Sequence, residues 1–534
     1  LKAIILRNLK VPIGKNSDER VQEVAASLLR RERIPAVRLS IVKKSIDARK
    51  KDAIHFVYSI RADVERLPDE KKLVYLDATV CKDEMPSLAF GECPLEENPV
   101  VVGLGPCGLF CALLLAENGY KPTIIERGGD VWERQKAVAR FYREGILDPS
   151  CNIQFGAGGA GTFSDGKLMT RINDPLCSYV LDRFCEFGAP DEIRIAAKPH
   201  IGTDLLLGIV DRMITRIREL GGKILYHTTV TGFSVDKKGK VKSAITNEGE
   251  IPCGVLVLAP GHSSRDTYQY LLKNQYSILP KSFSVGVRIE HLQESINRAL
   301  YGDWADQLPP AEYNLAEHIG QRGVYSFCMC PGGEVVAAAS EFCGVVTNGM
   351  SRHARNGKNA NSALAVSVFP EDYGNQPELA IDFIRKIEQR AYQMGGKNYN
   401  APLQTVGDFL SEKSGTAPTG ILSTYMGGDH YQLCDLRDLF PSFVTDTLSE
   451  GIKRFGKKLA GFDSSEALLT GPETRTSAPL RILRGEDGTA PGHTNLYPCG
   501  EGAGYAGGIT SAAVDGIRTA GQIMKKYRKV DSSF

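Results

Sequence analysis

One stretch limits the fold more than any other. The apolar "NPVVVG" runs into Gly103-Leu104-Gly105-Pro106-Cys107-Gly108, continues as the apolar "LFCALLLAENG", and then as "KPTIIERG" with Glu126 near its end. Strand, glycine loop, helix, strand and acid in that order form a dinucleotide-binding βαβ pattern. Gly103 permits the tight turn, Gly105 lets a pyrophosphate reach the backbone, and Gly108 lets helix and strand pack closely, with the helix N-terminus facing the anion. Glu126 follows Gly108 by 18 residues. A carboxylate there accepts from ribose hydroxyls and favours a free 2′-hydroxyl over a 2′-phosphate.

The same glycine spacing occurs twice more, at Gly156, Gly158 and Gly161 in "QFGAGGAGTFSDGK" and at Gly502, Gly504 and Gly507 in "CGEGAGYAGGITS". No strand runs into the earlier one. The later one follows a short strand and opens a helix near Ile509, but no second strand with an acid comes after it. It is therefore not a second nucleotide unit. Its helix N-terminus still aims N–H groups at a polar ligand, which suits a cofactor bridging the beginning and end of one fold. FAD fits that geometry better than NAD; the alternative is a glycine-rich corner where helices pack.

A chain of 534 residues with 42% hydrophobic and 24% charged residues calls for several soluble domains. The formal net charge of +2 gives the whole molecule no electrostatic case for nucleic acid or membrane. The most apolar run, Pro99 to Ala116, is broken by Gly103, Gly105, Pro106 and Gly108 and is too short to span a bilayer. Thirteen cysteines with no CxxC pair suit free thiols in a reducing, cytoplasmic setting. Nothing spaced like a metal-ligand set is present.

The order of elements divides the chain into a small α+β unit at 1–95, a first part of a nucleotide-binding domain at 96–275, a substrate or cap domain at 276–420, a helical connection at 421–480 and a closing part at 481–534. In the first unit, a strand precedes the helical "SDERVQEVAASLLR", with Ser17 as its N-cap, and the strand-like "AVRLSIVKKSI" and "AIHFVYSIRADV" follow. This order suggests a ferredoxin-like domain. It holds 19 Lys and Arg against 14 Asp and Glu, with Lys43, Lys44, Arg49, Lys50 and Lys51 clustered. Such a cluster meets RNA or an acidic partner, or is simply a solvated rim. Further on, "KILYHTTVTGFSV" reads as one strand.

The chain resembles the FAD-dependent dehydrogenase family of bacterial flavoproteins, a branch of the glutathione-reductase-like FAD-binding superfamily. The resemblance covers nearly the whole chain and rests on "KKSIDARKK", "VVGLGPCGLF", "FGAGGAGTFSDGKL", "KPHIGTD", "LAPGHSSRDT", "GVRIEH", "CMCPGGEV", "NGMSRHARNG" and "GEGAGYAGGITSAAVDGI". It implies an α/β fold: an FAD-binding Rossmann-like domain of glutathione-reductase type, an inserted α+β substrate domain and the small N-terminal domain. It also implies FAD contacts at Gly103, Leu104, Gly105, Pro106, Cys107, Gly108, Glu126, Arg127 and Val230. Ala259, Pro260 and Gly261 are expected to close over the cofactor midway through the fold, and Gly500, Glu501, Gly502, Gly508, Ile509 and Thr510 to lie beside its ribityl chain. The loop Gly158, Gly159, Ala160, Gly161 and Thr162 is expected to line the flavin and pyrophosphate, where only small side chains fit. Lys167 would then face the N1–C2=O edge.

Chemistry in such proteins is hydride transfer at flavin N5, so the chain supplies orientation, charge recognition and an acid or base. The candidates are His200 in "KPHIGTD", Lys167, and Arg288 in "GVRIEH", with His291, Arg352, His353 and Arg355 as further polar residues. An arginine there binds a substrate carboxylate or pairs with a local acid. Cys328 and Cys330, two apart, would share one face of a strand as buried thiols; a redox-active pair is the alternative, although CxC lacks the helix-N-terminal thiolate of CxxC. The resulting expectation is an FAD oxidoreductase acting on a small organic molecule, with a transient NAD(P)H or a protein as electron partner. An RNA-directed flavoprotein or a flavin-stabilised scaffold, and a flavin monooxygenase, are the alternatives.

Overall fold

The computed structural model describes residues 2–81 and 87–529. Five strands, β1 (Val100–Val102), β2 (Thr123–Ile125), β3 (Lys223–Leu225), β4 (Leu256–Leu258) and β5 (Leu496–Pro498), form one sheet in the order β5-β4-β1-β2-β3. Every neighbouring pair is parallel. The chain winds outward from β1 through β2 to β3 and then returns to the other side of β1 as β4 and β5. The topological switch point therefore falls between β1 and β4, and ligands of such sheets bind outside the carboxyl ends of the strands there.

Three helices matter for the site: α1 (Pro106–Glu117), α2 (Thr203–Glu219) and α3 (Ile509–Lys526). The apolar surface of α1 extends all the way round, and Cys107 through Ala116 are buried. A helix apolar on every side is one enclosed by its neighbours. It lies between the sheet and α3, and Gly516 of α3 allows the approach: a Cβ there would stand 2.1 Å from the Cys107 carbonyl oxygen.

The segment "KILYHTTVTGFSV" is two strands, not one. The break comes at His227, whose φ is +52°. There the chain bends around the end of β2: the His227 N–H donates to Gly128 O and the Thr228 N–H to Glu126 O. Beyond the bend, Val230–Val235, Val241–Thr246 and Gly249–Pro252 form an antiparallel meander.

Seven strands make the cap sheet, in the order Ala316–Ile319, Arg322–Cys330, Asn359–Val368, Phe283–Leu292, Leu468–Glu473, Ala401–Thr405 and Tyr431–Leu433. The last strand and Leu468–Glu473 come from the segment expected to be only a helical connection. That segment does hold the helix Ser442–Lys458, but the boundary at residue 420 cuts through one sheet. Its strands escaped the reading because each pairs with a partner distant in sequence.

The N-terminal unit has strands Lys2–Pro12, Ala36–Asp47, His55–Val64 and Ala78–Val80, with helices Asp18–Arg31 and Glu70–Tyr75. The order across the sheet is second, third, first, fourth, with all neighbours antiparallel, as in a split βαβ pair. Ser17 caps the first helix by accepting from the Arg20 N–H. Along His55–Val64, Phe56, Tyr58, Ile60, Ala62 and Val64 point into the core at period two. Part of the basic rim is pinned: the Lys44 N–H donates to Ile195 O at 2.6 Å and the Ala197 N–H to Lys44 O at 2.9 Å. The boundary at residue 95 also shifts, because Cys93–Pro94 pairs with Tyr527–Arg528 and Leu95 is buried in the nucleotide-binding core. No helix among the described residues is long and apolar enough to cross a membrane.

Candidate functional site

The three glycine clusters converge at the carboxyl edge of the parallel sheet. The turn after β1 begins at Gly103, with φ +97° and a would-be Cβ only 2.3 Å from Ala259 O at the end of β4. A Cβ on Gly108 would stand 1.9 Å from Gly103 O, so that turn closes on the start of α1. The second cluster lies directly against the first. The Gly158 N–H donates to Leu104 O at 2.8 Å, and a Cβ on Gly159, where φ is +63°, would sit 2.8 Å from Gly105 Cα. On Gly161 a Cβ would meet Ile509 at 2.8 Å, at the start of α3. The third cluster reaches the end of β4: a Cβ on Gly502 would lie 2.6 Å from Gly261 O. At Gly103, Gly108, Gly159 and Gly502 neighbouring backbone takes the space of a side chain, and at Gly161 the Ile509 side chain does.

Glu126 ties two of these loops together. Its side chain is 5% exposed. Oε2 accepts from the Leu104 N–H, and Oε1 from the Gly128 and Gly156 N–H groups, each at 2.9 Å. A carboxylate has room for a further donor. Arg127 beside it pairs with Asp266 and lies over the Phe155 ring at 4.3 Å. Val230 opens the meander just beyond the chain segment that passes Glu126.

Both α1 and α3 begin without a side-chain cap and without an acid in the first turn, behind Gly105 and Gly508. Unscreened N–H groups and the positive ends of two helices therefore face the same edge. Beside Gly261, Gly507 and Gly508 nothing lies within 4 Å of a would-be Cβ, so open space borders these loops. Uncapped N-termini, small residues and open space together fit a dinucleotide diphosphate such as FAD. Gly500 and Glu501 continue the edge: the Gly500 N–H donates to Asp515 at 2.7 Å, and burial lifts the Glu501 carboxyl to about 7, with Lys281 opposing.

One residue the sequence reading missed holds the middle loop. Arg134 is fully buried and donates to the carbonyls of Asn152, Ile153 and Ala157 at 2.8, 2.6 and 2.8 Å. Burial lowers its guanidinium to about 10. A signal existed: with Val131, Val138 and Phe141 it occupies the buried stripe of the helix Val131–Glu144, and a lone arginine on an apolar stripe needs partners.

The catalytic candidates meet at the cap. Lys167 pairs with Asp165 at 3.1 Å and with Glu312 at 3.3 Å, and Arg355 pairs with both acids. Burial works against the Lys167 charge, but the two carboxylates outweigh it and hold the ammonium above its ordinary range. His200 bridges the Lys167 backbone, its Nε2 lies 3.1 Å from His353 O, and its ring stacks on His353 at 5.4 Å. Burial, with Arg355 nearby, lowers its pKa. His291 is buried against Phe462 O, on the cap sheet.

For Arg288 the structure corrects the expectation. It is 0% exposed, and its donors go to Glu473, Cys328 O, Asn348 and Asn361. With its fork committed to buried partners, it is a strut of the cap and not a free substrate ligand. Cys328 and Cys330 also depart from the regular strand: the register slips between Phe327 and Cys330, and Cys328 has φ +45°. Among the described residues no group of His, Cys, Asp or Glu is placed to hold a metal ion.

Comparison with known proteins finds an FAD-dependent family over the cap and an uncharacterised relative over nearly the whole chain. Residues 282–476 match the family described as "FAD-dependent protein, C-terminal domain-like", and residues 4–63 match a domain of unknown function, DUF8436. A Clostridium beijerinckii protein named "Uncharacterized protein" is 47% identical over 502 residues, covering 92% of this chain and 93% of its own length. Among solved structures, glycine oxidase from Bacillus cereus is 12% identical over 81% of this chain and 99% of its own, with a TM-score of 0.32. L-proline dehydrogenase from P. horikoshii is 16% identical over 81% and 94%, with a TM-score of 0.31. Likenesses of that strength say nothing about a substrate.

Proposed function

The chain belongs to the same family as the Clostridium beijerinckii protein, and its cap matches a family of FAD-dependent proteins; from that premise we propose that it moves a hydride between a small organic substrate and flavin N5. Bound FAD would supply the hydride acceptor or donor; the chain supplies everything else. The observation that carries the reading is the meeting of three glycine loops and two uncapped helix N-termini at one sheet edge, next to the buried charges of the cap. In this reading the backbone of Gly103–Gly108 and the start of α1 hold the diphosphate, Glu126 accepts from the ribose, and the start of α3 stabilises negative charge at the far end. Lys167, kept charged by Asp165 and Glu312, fixes a cation beside that end. His200, its pKa lowered, is the group placed to take a proton.

Electrons reach or leave through the substrate and a transient nicotinamide or protein partner. The test is anaerobic reduction of the purified flavoprotein by candidate substrates, NADH and NADPH, followed by flavin absorbance. A compound that bleaches the flavin in a single turnover supports the proposal. NADPH oxidation stimulated by an aromatic compound would favour monooxygenation instead, and steeply salt-dependent tRNA binding would favour an RNA-directed role. Protein that is colourless and does not take up FAD would end the reading.

A further inference from the structure

The cap strand Arg322–Cys330 contains a local irregularity that the proposed hydride chemistry does not use. Phe327 faces Ala363 and Cys330 faces Asn361, so three steps along this strand match two along its neighbour. The extra residue is a β-bulge, and bulges re-aim side chains. Cys328 sits in it with φ +45°, a left-handed conformation uncommon outside glycine. On a regular strand, residues two apart stand side by side without touching. Here the bulge brings the two cysteines together: Cys330 Sγ donates to the Cys328 carbonyl at 3.2 Å.

Charged groups surround the pair. Arg288, itself paired with Glu473, donates to Cys328 O at 2.9 Å and comes within 4.0 Å of Cys330 Sγ. The neighbouring Cys330 thiol is the largest influence and lowers the Cys328 thiol to about 7; burial opposes it, Arg288 and Lys167 add to it, and Asp165 opposes it. Cys330 is correspondingly raised. Cys328 is partly exposed, whereas Cys330 is buried. A partly exposed thiolate among charged groups, with a second thiol behind it, has the arrangement of an attacking and a resolving cysteine.

We infer that Cys328 and Cys330 form a redox-active dithiol that reduces a small disulfide. The Cys328 thiolate attacks one sulfur of the disulfide RSSR, forming a mixed disulfide and releasing RS⁻. Cys330 gives up its proton, attacks the Cys328 sulfur and releases the second RS⁻, leaving a Cys328–Cys330 disulfide. Two electrons leave the protein for the substrate, and an external dithiol such as dithiothreitol returns them, becoming a disulfide itself. None of these steps requires the flavin, so the inference stands or falls separately from the proposed hydride chemistry.

The test uses the full chain with exposed Cys93 and Cys343 replaced by serine, and a chromogenic aromatic disulfide as the probe. The expected result is a fast phase releasing two aromatic thiols per protein, with peptide mass spectrometry finding residues 328 and 330 joined and unlabelled. In Cys330→Ser the fast phase should release one thiol and leave the aromatic group on Cys328. In Cys328→Ser it should vanish. The rate should rise with pH through a midpoint near 7 and should fall in Lys167→Met. Test protein with Cys328 and Cys330 intact that keeps a stable aromatic label on Cys328, or that leaves both cysteines free after the half-buried Cys177, Cys185 and Cys434 have reacted, overturns the inference. Because the variants are compared by mass at single residues, a folding defect is recognised by labelling of the buried Cys107 and Cys499.

Discussion

Replacing Glu126 separates two jobs that one side chain performs. If the carboxylate served only a bound ribose, Glu126→Ala would lower FAD content and leave the FAD-free protein as it was. The structure demands more, because three buried backbone donors, at Leu104, Gly128 and Gly156, end on this carboxylate at 2.9 Å each. Losing the acceptor of a buried N–H costs about 1–3 kcal/mol. Water entering the space left by the carboxylate recovers part of that, so about 1 kcal/mol per donor, and about 3 kcal/mol in all, is the working figure. A protein of several domains does not unfold in one step, so a global midpoint is the wrong readout. Amide hydrogen exchange at these three residues in FAD-free protein is the right one: at 1.4 kcal/mol per factor of ten, exchange should speed up about a hundredfold. Glu126→Gln should fall between, because its amide oxygen can keep the Gly128 and Gly156 donors while its NH2 opposes the Leu104 N–H. Unchanged exchange at all three amides in Glu126→Ala would refute the claim that this acid links the loops.

Gly105→Val should leave a folded protein with strongly reduced FAD content, measured by absorbance after denaturation, because its side chain enters the space expected for the diphosphate. Deleting residues 1–86 should leave a yellow, folded remainder, because the chain from Gly91 onward packs on the end of α3 while the four N-terminal strands form a sheet of their own; loss of flavin on that deletion would show that the pairing of Lys44 with residues 195–197 supports the site. Glu312 is held at about 2: burial opposes its charge, and Lys167 and Arg355 more than offset this. A carboxyl depressed in the folded state stabilises it above the ordinary carboxylate range and loses that contribution as pH falls towards 2. Lys167→Met shrinks the depression, so acid loss of near-ultraviolet circular dichroism should begin at higher pH in the variant than in the wild type.

What could be read from the chain was what is local in it. The run from β1 through Gly103 and α1 to Glu126 is legible because each element follows the last within a few residues, and Ser17 announces its helix for the same reason. The remainder depends on encounters that spacing does not record. Asp165 and Arg355 are 190 residues apart and Arg288 and Glu473 are 185 apart, so neither ion pair leaves a pattern. Arg288 looked like a ligand because an arginine's partner is invisible until the sheet is assembled. The bulge at Cys328 is a property of two strands in register, and one strand read alone predicts the regular alternation instead. The middle glycine cluster is legible, through the family resemblance, as a loop of small residues expected beside a cofactor, but the packing of Gly159 against Gly105 is not.

The carboxyl edge is completed by the last strand and helix of the fold, and this sets an order of events in biosynthesis. Cys107 and Cys499, whose sulfur atoms lie 3.2 Å apart at the foot of α1, are separated by 392 residues. The nucleotide loop leaves the ribosome early, yet the second helix N-terminus facing it does not exist until synthesis has passed Ile509. Domains that form early on the ribosome can gain stability before the chain is finished, and the N-terminal sheet, whose four strands pair among themselves, is placed to do so. The cofactor edge has no such option: a stalled or clipped chain lacks β5 and α3, and with them half of the charged rim. Holding the cofactor is in this architecture a mark that translation has run through the closing strand and helix.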